Sequence, residues 1–153
     1  MLQTRENQRP RGRSTNFRSG SQAAADRAKA EERAAAQVAE GERLKQVATA
    51  TGAAKLLAVK ALDCGKDQLR SLVKSGESAE VLASAVMTMC GSEVDNFVTA
   101  GAKEYVLERQ VAEDDAGVGL AKEKLKADTR EHFVALAVQA KAGVGGFAPS
   151  SSN

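Results

Sequence analysis

The apolar side chains of this sequence are small, and that limits what it can build. Hydrophobic residues make up 42% of the 153 residues, but alanine carries much of that share. Aromatics are only 3%, with no Trp, one Tyr and four Phe. Burial stabilises by roughly 25 cal/mol per Å² of apolar surface, and alanine brings little surface to bury. A thick globular core is therefore not expected. Thin packing between helices, or burial against other subunits, suits the composition better. The length allows one domain with a modest core, and a charged share of 27% is ordinary for a soluble domain.

No segment alternates apolar and polar for long enough to read as a strand. Helix signals dominate instead. Ser21 is a plausible N-cap, and the alanine run after it has the highest helix propensity available. The pattern predicts a long helix over about 22–50. Its first half, to Gln37, has almost no large apolar residue and so no stripe to turn to a core. That half is expected to project or to lie against a partner. From Leu44 a 3–4 spacing appears: Leu44, Val47, Thr51, Ala54, Ala58 and Ala61 share one face. The first five are the candidate helix–helix face, with residues small enough for a second helix to come close.

Gly52 predicts a break, and "AAKLLAVKALD" at 53–63 a second apolar helix. "DCGKD" at 63–67 reads as a turn, with Asp67 capping a short helix that Gly76 ends. Ser78 starts "AEVLASAVMTMC", which Gly91 closes. Ser92-Glu93-Val94-Asp95 is a capping-box variant for a helix over about 93–113. "EDDAGVG" at 113–119 is the next break, and a final helix follows over about 120–142. The fold class expected is all-α: a small bundle of five or six helices with short loops between antiparallel neighbours. Residues 1–20 form a disordered basic arm, and residues 21–142 the helical domain. Within that domain the long helix takes 21–50 and the compact bundle 53–142. Residues 143–153 are a flexible Gly/Ser-rich tail.

Cys64 and Cys90 are the only cysteines, and neither has the close partner a zinc site needs. With no secretory signal in a polar, arginine-rich N-terminus, they read best as free buried thiols in a reducing compartment, a disulfide between them being the main alternative. No stretch approaches the roughly 20 apolar residues of a membrane span. The expected location is cytoplasmic or inside a viral particle.

The search for reactive chemistry is thin. His132 is the single histidine, in "TREHFVAL", and reads as an ordinary helix residue. "CGKD" at 64–67 lacks both the first glycine and the final Ser or Thr of a phosphate loop; those positions hold Lys60 and Asp67. "MTMC" at 87–90 gathers soft sulfur ligands, but Met87 and Met89 project about 200° apart on a helix, so core packing is the reading. "EDD" at 113–115 lacks an EF-hand spacing and reads as a solvated helix end. No catalytic residue, metal, cofactor or small-molecule substrate is expected.

What stands out is charge. Arg5, Arg9, Arg11, Arg13 and Arg18 against Glu6 give residues 1–20 a net of +4. The whole chain carries +2, which leaves −2 for residues 21–153. Guanidinium groups donate paired hydrogen bonds to phosphate or carboxylate oxygens. Five on a flexible tether could follow a nucleic-acid backbone or an acidic partner. Phe17 in this arm and Phe147 in the other tail are isolated aromatics with no local core, which marks them as candidate docking anchors.

The composition resembles that of small helical proteins of large assemblies, including virion components of tailed phages. The expectation is a non-enzymatic structural protein that oligomerises, its tails docking on neighbouring subunits or packaged nucleic acid. The alternative is a nucleic-acid-binding accessory or regulatory protein that uses the arginine arm without sequence preference.

Overall fold

The computed structural model describes residues 20–144 and Phe147. These are all-helical, with four α-helices and no strand among them. Helix α1 is Gly20–Leu72, and a short 3-10 turn, Val73–Ser75, follows it. Helices α2 (Ala79–Met89), α3 (Gly91–Arg109) and α4 (Ala116–Ala142) complete the order. No helix of the described residues is long and apolar enough to cross a membrane.

Among the described residues there are four α-helices rather than the five or six expected, because α1 does not stop where glycine predicts a stop. It runs through Gly52 and through the whole of "DCGKD". A glycine inside a helix costs about 1 kcal/mol, which is little against the packing of several turns. Asp67 is accordingly no cap: it lies inside α1 and accepts a hydrogen bond from Arg70. Ser21 is likewise within the helix, which begins one residue earlier.

The other boundaries follow side-chain chemistry. Gly76 ends the 3-10 turn with a left-handed φ of 78°. Ser78 caps α2, its hydroxyl oxygen accepting from the Val81 N–H at 3.3 Å. Gly91 does not close α2. It opens α3, and Cys90 serves as the last cap of one helix and the first of the next. The capping box at Ser92 is therefore absent; its residues already lie within α3. Gln110, at φ 54°, ends α3. Asp115 caps α4 by accepting from the Gly117 N–H at 2.7 Å, and Gly143 terminates it.

The chain divides into two units at Glu40–Gly41. In the first, every described side chain from Ser21 to Glu40 is exposed. In the second, α4 packs along both α2 and α3. Phe133, Leu69, Leu82, Val86, Val94 and Cys90 are its largest fully buried side chains. Thr129 is the one buried polar residue among those described, and its hydroxyl donates to the Leu125 carbonyl at 2.7 Å. No buried side-chain nitrogen or oxygen lacks a partner among the described residues.

Helix α1 joins this core through Ala61 and Leu69, and two further contacts hold it there. A Cβ on Gly65 would collide with Cε1 of Phe133, so the phenyl ring of α4 rests where that side chain would be. The second contact is a disulfide between Cys64 and Cys90, whose Cα atoms are 6.0 Å apart. The expectation of free thiols is thereby corrected, and the cysteines lend no support to a reducing compartment. Sequence distance hid the pairing: the two lie 26 positions apart, and only the packing of α1 on the α2–α3 junction brings them together.

The glycines of α1 make a paired prediction. Gly52→Ala enters open space and should stabilise by about 0.5–1 kcal/mol through helix propensity. Gly65→Ala gains the same propensity but strikes a fully buried ring, and overpacking of that kind costs typically 1–3 kcal/mol. A net loss is expected. Urea denaturation of the two variants beside the parent measures both signs; stabilisation by Gly65→Ala would remove the proposed reason for the glycine.

Candidate functional site

The residues singled out in the sequence fall into three groups. Arg5, Arg9, Arg11, Arg13, Arg18 and Phe17 lie outside the described residues. Phe147 is described, and it corrects its own expectation: it is half-buried and packs against the hydrophobic core of the second unit. Its N–H donates to the Val144 carbonyl at 3.4 Å. It has a core to join, so the anchor reading for Phe147 is withdrawn.

The third group is the face of α1. Ala54 and Ala61 are buried, Val47, Thr51 and Ala58 half-buried, and Leu44 is 54% exposed. The Thr51 hydroxyl donates to the Glu104 carboxylate of α3, and Arg43 donates to the Leu107 carbonyl at 3.3 Å. Ala58 and Ala61 line a small cavity of about 170 Å³ with Phe97 of α3 and Thr129 and His132 of α4. The small residues let helices approach closely, and the helices that approach are the chain's own α3 and α4. Leu44 alone of the five is left largely in solvent.

The large apolar side chains that do face solvent were not legible as such. At about 100° per residue, Leu56 and Val59 stand on the side of α1 opposite Ala54 and Ala61. They are 59% and 53% exposed, and Val38 in the first unit is 68% exposed. Isolated exposed leucines are normal, but these recur along one helix.

Two grooves flank α3. One, of about 370 Å³, lies between α1 and α3, where Ala50, Ala53, Ala100 and Leu107 are joined by Lys45 and Lys103. The other, of about 560 Å³, lies between α3 and α4. Tyr105, Leu120 and Leu125 give it apolar walls, and Glu104, Glu108 and Asp128 give it carboxylates. Gly101 of α3 lets α4 come close here: a Cβ there would be 2.6 Å from a Leu125 methyl. Lys124 is bound to Asp128 at 2.8 Å. That hydrogen bond, the Asp128 charge and the more distant Glu131 hold the Lys124 ammonium above its ordinary value. Sequence reasoning missed this groove, although Leu120 carried a signal. It stands about 140° around α4 from Leu125 and so cannot share the buried stripe.

The other candidates stay in bland settings. His132 is exposed on α4, Met87 packs against the core and Met89 is exposed. No group of three His, Cys, Asp or Glu side chains among the described residues could hold a metal ion. No protein-family model, curated protein or solved structure matches the chain.

Proposed function

We propose that this chain is a non-enzymatic structural protein that oligomerises within a large assembly such as a virion. Its arginine arm and the solvent-facing side of α1 make contacts with neighbouring subunits. The observation that carries this reading is the exposure of α1. Every described side chain from Ser21 to Glu40 is in solvent, and Val38, Leu56 and Val59 are each more than half exposed. Most helical stability in proteins comes from packing an amphipathic face rather than from propensity. A partner that covers α1 would supply that packing.

Leu56→Glu with Val59→Glu tests it. Both side chains already face water, so the fold should hold to within about 0.5 kcal/mol. Light scattering of the full chain should show an oligomer for the parent and weakened association for the double variant. A parent that stays monomeric, with residues 1–19 cleaved by protease in every state, would contradict the reading.

The arm supports nucleic-acid contact as the second reading, because its +4 is local and the remainder is net negative. Three to five neutralised phosphates would give a log–log salt slope of roughly −3 to −5 on duplex DNA. Mobility shifts with and without residues 1–20 decide whether the arm carries any such binding.

A further inference from the structure

The groove between α3 and α4 has a charge that another segment of this chain complements. Its carboxylates come from Glu104 and Glu108, one helical turn apart on α3, and from Asp128 on α4. The Lys124 beside them is already engaged by Asp128. Its apolar edge is Leu120, 73% exposed, the most exposed large apolar side chain among the described residues. An acidic rim around an apolar wall fits a basic segment that carries one large apolar side chain. Residues 5–18 are such a segment: five arginines with Phe17 between Arg13 and Arg18.

We infer that this groove receives the arginine arm of a second copy of the chain, with Phe17 against Leu120 and Leu125 and the neighbouring arginines paired to Glu104 and Glu108. The inference rests on the assembly reading above and names the partner surface for the arm. The second copy is the occupant because the proposed assembly brings copies of one chain together, and the arm's net +4 is then set against the net −2 of residues 21–153 of its neighbour. Aromatic and arginine side chains are the usual anchors of such contacts, and complementary charge sets their register.

The test is sedimentation velocity on the full chain across a concentration series, with circular dichroism to check that each variant keeps its helices. Phe17→Ala and Leu120→Asp should each weaken self-association about tenfold or more. Combined, they should be little worse than either alone, because they remove one shared contact. Arg18→Glu and Glu108→Arg should each weaken association, and the pair together should restore part of it. Parent-like association of Leu120→Asp and Glu108→Arg overturns the inference while the assembly reading survives. Association that needs added duplex DNA and ignores Leu120→Asp overturns it in favour of an arm that holds nucleic acid. A parent chain that is monomeric at every concentration overturns both.

Discussion

Phe133→Ala is expected to lower the unfolding free energy by about 3–5 kcal/mol, the range for truncating a fully buried phenylalanine. The size follows from position. Phe133 has no exposed surface, and its ring occupies the space left by the missing side chain of Gly65. It therefore joins α4 to α1 as well as to the core formed with α2. Total stability of a domain is about 5–15 kcal/mol, so one truncation should remove a large part of it. A lower urea midpoint at unchanged slope would show this directly. A loss below about 1 kcal/mol would mean that the α1–α4 contact contributes little. In a chain with four phenylalanines and no tryptophan, few other side chains could take its place.

Breaking the Cys64–Cys90 disulfide should cost a similar amount. Closing a loop of 26 residues restricts the unfolded chain by about 3.5 kcal/mol in the chain-entropy account. The cleanest comparison is the same protein with and without reductant, since no side chain is removed. The reduced form should unfold at a lower urea concentration, and its thiols should react with an alkylating agent only after reduction. The pair Cys64→Ala and Cys90→Ala should match the reduced form or fall slightly below it, because Cys90 is fully buried and its sulfur fills space. Equal midpoints for oxidised and reduced protein would contradict this role.

The all-helical class was legible because no segment has a period of two and the helix signals agree with one another. Ser78, Gly76 and Gly143 act as their chemistry predicts. The number of helices was not legible, because glycine has two meanings. At Gly76 it accommodates a left-handed backbone; at Gly65 it makes room for a ring that arrives from 68 residues further along the chain. Only the second partner, Phe133, tells them apart, and sequence order does not disclose it. The disulfide was hidden for the same reason. Phe147 misled because its flanks are glycine and proline, yet it packs against the core.

The candidate surfaces were legible in part. On the face expected from Leu44 to Ala58, Ala54 is buried and Val47, Thr51 and Ala58 are half-buried beside α3 and α4 of the same chain, while Leu44 stays largely in solvent. The exposed side of α1 and the groove between α3 and α4 depend on which faces the bundle consumes first. Leu56 and Val59 resemble core residues until Ala54 and Ala61 are seen to fill that role. Along this stretch of α1 the small residues Ala54 and Ala61 go inward and let helices touch, while Leu56 and Val59 are left in solvent.

The central claim is that the chain works as one of several copies in an assembly. Native mass spectrometry of the complex from its natural source tests it most directly, because stoichiometry and bound nucleic acid are read together. The account expects this 16.0 kDa chain in multiple copies within a larger particle. Recovery only as a single unassociated chain would contradict it.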